Sequence, residues 1–172
     1  SFVSRGLGDV YKRQDKMNIN IFVAVNAAKT KPFGYQPFYP GPGVGGHCIP
    51  VDPFFLTWKA KKLGINTEFI KLSGQINDER PKIITNKINK FLIKNKKYKN
   101  IKCLIVGIAY KKDCDDLRLS PALKIIEILN KSKKYKINVF DDEISKKAKL
   151  NLNKYYFINK KQLNKKLSLI HI

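Results

Sequence analysis

The feature that most constrains the fold is a short apolar run, Cys103–Val106, of the kind that forms a buried parallel strand. We predict a strand over Lys102–Gly107. Ser120 and Pro121 combine a helix N-cap with a proline suited to the first helical position, and they predict a helix to about Asn130. Two further strands are predicted, over Lys136–Phe140 and Tyr155–Ile158. Strand, helix and strand at this spacing predict an α/β fold with a parallel, Rossmann-like βαβ unit and a right-handed crossover.

The first half of the chain has a different pattern. Helical signals predict four helices, over Asn18–Thr30, from Asp52 to about Leu63, over Thr67–Asn77 and from Pro81 to about Lys94. In the second of these helices Asp52 is the expected N-cap, and Gly64 marks its end. A short helix is predicted over Ser145–Leu150, and a loop over residues 31–47. The chain therefore divides near Asp78–Lys82 into a helical region followed by an α/β region.

Charge makes nucleic acid the first partner to consider, because the net charge is +22. Only four of the 35 basic residues are arginines, however, and the lysines are spread along the whole chain. We therefore predict no nucleic-acid partner. No apolar run is long enough to cross a bilayer, so no membrane association is expected. Three cysteines at irregular spacing form no disulfide framework, which favours a cytoplasmic location.

The two ends of the chain share an unexpected relation. Residues 9–14, Asp-Val-Tyr-Lys-Arg-Gln, can be encoded by GAT GTG TAT AAG AGA CAG. The reverse complement of that DNA encodes Leu-Ser-Leu-Ile-His-Ile, which is residues 167–172. We therefore expect residues 1–14 and 167–172 to derive from a sequencing adapter, and the natural segment to span about Asp15–Lys166.

A glycine-rich loop carries the most suggestive chemistry. It includes Gly41, Gly43, Gly45 and Gly46, but no predicted strand precedes it, so it is not a phosphate-binding GxGxxG turn. Cys48 follows just before a helix N-terminus, where the helix dipole favours a reactive thiolate.

Simpler interpretations of this segment remain open. Cys48 could be a small buried apolar residue, and Asp52 could be only a helix cap. His47 could be a zinc ligand, but it has no neighbouring ligand set.

The segment from Met17 to about Asn159 resembles the nucleotide-sugar dehydrogenases, a family that includes UDP-glucose and GDP-mannose dehydrogenases. Tyr39–Pro53 is similar to that family's catalytic cysteine loop, and Gly107–Pro121 to its signature in the UDP-binding domain. The likeness is strongest to the UDP-N-acetyl-D-glucosamine 6-dehydrogenase branch. The glucose and mannose branches usually carry Ser and Lys where this chain has His47 and Val51.

The resemblance implies oxidation of a sugar C6 alcohol to a carboxylate, with two NAD⁺ used for each UDP-N-acetylhexosamine. It implies that Cys48 forms a thiohemiacetal and then a thioester. Asp52 matches the carboxylate that positions the hydrolytic water. The uronate product is associated in the family with polysaccharide biosynthesis. A UDP-glucose or other sugar branch, or a nonenzymatic basic binding module, is the alternative.

The resemblance also implies binding roles for further residues. Those assigned to the substrate are Tyr39, Gly41, Gly43, Gly45, Tyr110, Lys111 and, from a looser match, Lys31. Those assigned to the NAD side are Arg118 and Val51. Spacing alone leaves simpler interpretations open, because Lys111 could be solvated and Arg118 could pair with Asp115 or Asp116. Cys103 is predicted to lie in the core, and Cys114 is assigned no role.

The domains implied are a central helical, dimer-forming region over residues 15–81 and a partial UDP-binding domain over 82–166. No metal site is expected. The resemblance further implies that the N-terminal NAD-binding domain and its catalytic residues are missing. We therefore expect this chain alone to produce no NADH, and its incomplete sheet to promote aggregation.

Overall fold

The computed structural model describes residues 17–95, 101–145, 152, 155–163 and 168–171. The helices are α1 (Ile21–Lys29), α2 (Asp52–Lys62), α3 (Glu68–Lys94) and α4 (Pro121–Lys131). The strands are β1 (Ile101–Val106), β2 (Tyr135–Phe140), β3 (Tyr156–Phe157) and β4 (Ser168–His171), with a 3₁₀ turn at Lys160–Gln162. None of the described helices is both long and apolar enough to span a lipid bilayer.

The four strands form one parallel sheet in the order β3-β2-β1-β4. Helix α4 joins β1 to β2, which confirms the predicted α/β class and βαβ unit. The helix carries apolar residues at helical spacing, and Ile125, Ile126 and Leu129 are at most 1% exposed. Ile125 and Leu129 pack in a hydrophobic cluster with Cys103, which is fully buried as predicted. Burial raises the pKa of the Cys103 thiol to about 11.

The start of α4 agrees with its sequence signals. Ser120 is the N-cap, and its Oγ accepts a hydrogen bond from the backbone N–H of Leu123 at 3.4 Å. The same hydroxyl donates to the carbonyl of Ile108 at 2.6 Å, so it ties the loop after β1 to the helix N-terminus. Pro121 occupies the first helical position, where its missing N–H costs no hydrogen bond.

Helix α3 corrects one prediction. A single helix runs through Pro81, where we predicted a break and a restart. Proline inside a helix costs roughly 3 kcal/mol because it removes one backbone bond and crowds the preceding turn. On the α3 face that packs against the core, Leu92 is buried and Ile84 and Ile88 are partly buried. This burial of apolar surface offsets the cost. The helix crosses the predicted boundary between residues 81 and 82, whose position stays a prediction.

Other helix boundaries lie close to those predicted. The N-cap of α2 is Val51, so Asp52 is the first helical residue and not the cap that we expected. Gly64 has a φ of +75° just after this helix, as its predicted terminator should. The phenyl ring of Phe54 on α2 lies against Gly74 of α3, where any β-carbon would overlap it.

Two predictions concern the less completely described C-terminal part. The short helix over Ser145–Leu150 falls almost wholly outside the described residues. Strand β4 contains four of the residues that we expect to be adapter-derived, and it pairs with β1 from Cys103 to Val106. The origin of these residues stays a prediction.

Candidate active site at the junction of two loops

Two loops meet where the helical region contacts the α/β region. The first is the glycine-rich loop, residues 41–48, and the second is the signature loop, residues 107–120, between β1 and α4. The backbone N–H of Gly46 donates to the carbonyl of Arg118 at 2.8 Å. A β-carbon on Gly45 would lie 2.5 Å from Cβ of Tyr110, a separation that real β-carbons do not reach. The contact between the loops therefore requires glycine.

A cleft of about 540 Å³ opens beside this junction, at the carboxyl ends of β1 and β2. Its lining includes Gly43, Tyr110, Lys111, Cys114, Pro121 and residues 141–143. The N-terminus of α4 borders the cleft, and helix N-termini favour anions. Ligands of open parallel sheets bind at the carboxyl ends of the strands, so this cleft is suited to a nucleotide.

Carboxylates at the end of β2 contribute to the same cleft. Asp141 is buried, and its side chain accepts backbone N–H groups from Ile108, Glu143 and Ile144 at 2.7, 3.1 and 3.3 Å. Asp141 therefore shapes the cleft wall. Asp142 also lines the cleft but is exposed. Sequence reasoning assigned these carboxylates no role, although their position directly after a strand is a recognisable signal.

Cys48 is exposed, so it is not the buried apolar residue of the simpler interpretation. Its carbonyl accepts the backbone N–H groups of Val51 at 3.1 Å and Asp52 at 2.8 Å, which places the residue at the start of α2. Its Sγ lies 3.4 Å from Nε2 of His47. Cys48 is thus an accessible thiol next to an imidazole at a helix N-terminus, which is a setting that suits a nucleophile.

Arg118 pairs with Asp116, one of the two partners considered from spacing. Its Nε lies 3.0 and 2.9 Å from the two carboxylate oxygens of Asp116, and Nη2 lies 2.6 Å from Oδ2. Asp115 instead accepts the backbone N–H of Ser145 at 3.0 Å. The hydrogen bond that Arg118 donates to the Asp116 side chain raises the pKa of Arg118, and smaller contributions come from the charges of Asp116, Tyr110 and Cys48. The guanidinium of Arg118 therefore interacts electrostatically with the thiol group of Cys48.

Asp116 is expected to remain ionised at a lower pH than an ordinary aspartate. The side-chain hydrogen bond from Arg118 lowers the pKa of Asp116 to about 2, with further lowering by the Arg118 backbone N–H and by the charge of His47. The pKa of an aspartate in the unfolded state is about 3.9. The contribution of the ionised Asp116, paired with Arg118, to the stability of the folded state is therefore complete above about pH 4. It is lost as the pH falls to about 2.

Carbon-13 NMR of the Asp116 carboxyl group during an acid titration measures this directly. Arg118→Met is the matched variant, and its Asp116 titration should return to near pH 4, about the ordinary value. An Asp116 titration near pH 4 already in the parent chain would contradict the assigned pairing.

Several predicted site residues lie outside the cleft lining. The hydroxyl of Tyr39 donates to Oδ1 of Asn26 at 2.7 Å, and the Tyr39 ring stacks on Phe22 with centroids 6.0 Å apart. The ammonium of Lys31 lies 5.5 Å from the ring centroid of Phe33. The carbonyl of Gly41 accepts a 3.5 Å hydrogen bond from Arg80.

Only the residues beside Cys48 offer groups that fit NAD in the part of the chain that the structure describes. The glycine-rich loop follows α1 and irregular backbone, not a strand, so it does not form a dinucleotide-binding turn. The Arg118 side chain is 60% exposed and could meet an anionic cofactor beside Cys48, with Val51 at the adjacent helix N-cap. The described residues do not build the fold that would bind the rest of a dinucleotide. They also bring together no three His, Cys, Asp or Glu side chains that could hold a metal ion.

Comparison with known proteins yields two family matches. Residues 9–79 match the central domain of the UDP-glucose/GDP-mannose dehydrogenase family. Residues 104–171 match the UDP binding domain of the same family. Together the two matched ranges contain the whole of both the glycine-rich loop and the signature loop.

Individual relatives support the family matches. The chain is 40% identical over 112 residues to a UDP-N-acetyl-D-mannosamine dehydrogenase of Campylobacter jejuni, covering 65% of this chain and 26% of that protein. It is 34% identical to a UDP-N-acetyl-D-glucosamine 6-dehydrogenase of Pseudomonas aeruginosa, covering 76% of this chain and 31% of that protein. The structure of a UDP-D-ManNAc dehydrogenase from Pyrococcus horikoshii superimposes with a TM-score of 0.71 at 31% identity, over 80% of this chain and 32% of that one.

Proposed function

This chain belongs to the UDP-glucose/GDP-mannose dehydrogenase family, and we propose that it is the substrate-binding and thiol-bearing part of an NAD-dependent UDP-N-acetylhexosamine 6-dehydrogenase. The observation that carries the proposal is the exposed Cys48 at the loop junction beside a nucleotide-sized cleft. Relatives named for UDP-N-acetylmannosamine and UDP-N-acetylglucosamine support the substrate class. Because the chain spans only 26% and 31% of those two relatives, the activity is proposed for a protein that contains this segment.

The cleft supplies groups suited to a UDP moiety. The ring of Tyr110 offers a packing surface, and the exposed ammonium of Lys111 can meet the diphosphate. Gly43 lets the loop backbone approach the ligand at the opposite wall. Asp142, after β2, is placed to accept ribose hydroxyls, as an acidic residue does in many nucleotide-binding sheets.

The proposed roles of the other residues rest on the resemblance to the family. Lys31, Tyr39, Gly41 and Gly45 are assigned to the substrate. Arg118 and Val51 are assigned to the NAD side.

The reaction converts one C6 alcohol and one water into one carboxylate, and it releases three protons. NAD, when bound, accepts one hydride from C6 in each of the two oxidation steps. Between these steps, the Cys48 thiolate adds to the aldehyde carbon. The carbonyl oxygen gains the electron pair and takes up a proton, which gives the hydroxyl of a thiohemiacetal. The second oxidation leaves a thioester on Cys48. Water then adds to the thioester carbonyl, the C–S bond breaks, and the thiolate is restored.

Asp52 is proposed to hold the hydrolytic water. It is the first residue of α2, so its carboxylate starts within one turn of Cys48. Its side chain is exposed, and a water molecule can therefore reach it. A carboxylate in this position can accept the proton that the attacking water gives up.

A dimer through the helical region and a cytoplasmic location complete the proposal. Phe55 and Trp58 on α2 and Leu72 on α3 are 66%, 59% and 53% exposed. A second copy of the chain would remove this apolar surface from water.

A substrate panel tests the proposed function. In a protein that joins this segment to an NAD-binding domain, UDP-GlcNAc, UDP-ManNAc, UDP-GalNAc and UDP-glucose are compared by NADH absorbance. We expect a UDP-N-acetylhexosamine to give kcat/KM at least about tenfold above UDP-glucose, and two NADH per uronate. The 172-residue chain alone should bind the UDP-sugar and form no NADH. Faster turnover of UDP-glucose would favour the alternative branch. No turnover together with strongly salt-dependent DNA binding would favour a basic binding module.

A further inference from the structure

His47 and Cys48 are neighbours in the sequence whose side chains also meet. Side chains that are adjacent along a regular strand point to opposite faces. Here the chain turns at this point, since the carbonyl of Cys48 accepts N–H groups from Val51 and Asp52. The turn leaves Sγ of Cys48 3.4 Å from Nε2 of His47, within hydrogen-bond range for sulfur.

We propose that His47 is the acid–base partner of Cys48, with which it forms a thiolate–imidazolium ion pair. The proposal rests on the proposed function, because it takes Cys48 as the nucleophile of the reaction. The proton of the thiol moves to Nε2 of His47, so the pair changes from two neutral groups to two opposite charges. A thiolate is the reactive form of cysteine, and an adjacent imidazolium stabilises it.

Charged groups of the signature loop complement both members of this pair. The positive charge of His47 is one of the contributions that lower the pKa of the Asp116 carboxyl group. The negative charge of Cys48 is one of the contributions that raise the pKa of the Arg118 guanidinium. Each charge of the ion pair is therefore favoured by an opposite charge on the signature loop.

Among the described residues, two further titratable groups belong to the segments that flank the pair, Tyr110 and Asp52. Tyr110 lies in the signature loop and interacts with Arg118. Asp52 lies on the same turn as Cys48, and its carboxylate is exposed. The backbone bond from Gly46 to Arg118 holds the two loops together, so the environment of the thiol depends on both regions of the chain.

The ion pair also supplies a proton in the first covalent step. When the thiolate adds to the substrate aldehyde, a C–S bond forms and the carbonyl oxygen gains the electron pair. The imidazolium can return its proton to that oxygen, which gives a neutral thiohemiacetal and a neutral imidazole. No oxidant or reductant is needed in this step, and the proton that left the thiol ends on the substrate.

Alkylation by iodoacetamide tests the pair in the 172-residue chain itself. The thiolate displaces iodide, and peptide mass spectrometry measures the rate at each of the three cysteines. Cys114 is a half-buried internal reference, and Cys103 is fully buried and reports folding. The rate at Cys48 divided by that at Cys114 is compared between about pH 6.5 and pH 9, on either side of the ordinary thiol range.

We expect this ratio to be about tenfold higher at the lower pH, because the ion pair keeps the Cys48 thiolate populated there. His47→Gln keeps a hydrogen-bond donor but cannot take the thiol proton. It should lower the Cys48 rate about tenfold at the lower pH and abolish the pH dependence of the ratio. The proposal would be overturned if the ratio of the Cys48 rate to the Cys114 rate were the same in the parent chain and in a folded His47→Gln variant at both pH values.

Labelling of Cys103 would show that a variant has unfolded, and His47→Ser is then used in its place. Should both variants unfold, the parent chain decides, since a ratio that does not change with pH also overturns the proposal. The assay contains no NAD and no sugar. A negative alkylation result therefore rejects the role of His47, whereas a negative substrate panel rejects the proposed function.

Discussion

Replacing Cys48 by serine is expected to lower uronate formation by at least about a thousandfold in a protein that joins this segment to an NAD-binding domain. The serine hydroxyl is not ionised at neutral pH, so it cannot capture the aldehyde as the thiolate does. The exposed position of Cys48 means that its loss removes a reactive group without creating a cavity. Product analysis by mass spectrometry, together with kcat from NADH formation, measures the effect.

Cys103→Ala is the matched control for this experiment. Cys103 is 0% exposed in the core and is not among the residues that line the cleft. This variant is expected to lose about 1 kcal/mol of stability and to keep kcat within about threefold. Retention of more than about a tenth of the parent kcat by Cys48→Ser would contradict a covalent role for this thiol.

Replacing Gly45 by alanine should damage both stability and nucleotide binding. The new β-carbon would lie 2.5 Å from Cβ of Tyr110 and 3.1 Å from the carbonyl oxygen of Leu119. Neither of these atoms lies at the flexible end of a side chain, so the two loops must move apart. We expect a loss of about 1–3 kcal/mol in the free energy of unfolding and at least about tenfold weaker UDP-sugar binding.

Urea unfolding followed by circular dichroism and titration calorimetry with the UDP-sugar measure these two effects. Gly41→Ala is the control for stability, because its β-carbon would meet only the Gly43 carbonyl oxygen, at 3.9 Å. It should change the free energy of unfolding by less than about 0.5 kcal/mol. Equal stability of Gly45→Ala and the parent chain would show that the loops do not need this contact.

Local signals predicted the α/β region well. The apolar run in β1 and the Ser120 cap act within a few residues, so they can be recognised from sequence without knowing their partners. The predicted helix break at Pro81 was wrong, because proline is a local helix breaker whereas the burial that offsets it involves residues far away in the chain. The predicted N-cap of α2, Asp52, was wrong by one residue for a related reason. The turn at Cys48 starts the helix without a side-chain cap, so Val51 is the N-cap.

Local sequence patterns were enough to predict the βαβ unit, the glycine-rich loop and the cysteine before α2, because periodicity, capping and backbone freedom are short-range properties. The packing of Gly45 on Tyr110, the pairing of Arg118 with Asp116 rather than Asp115, and the exposure of Cys48 follow instead from the three-dimensional fold. It also placed Asp142 in the same cleft as Lys111. Contacts between loops far apart in the chain depend on how helices and strands pack, and no pattern within one loop specifies its partner.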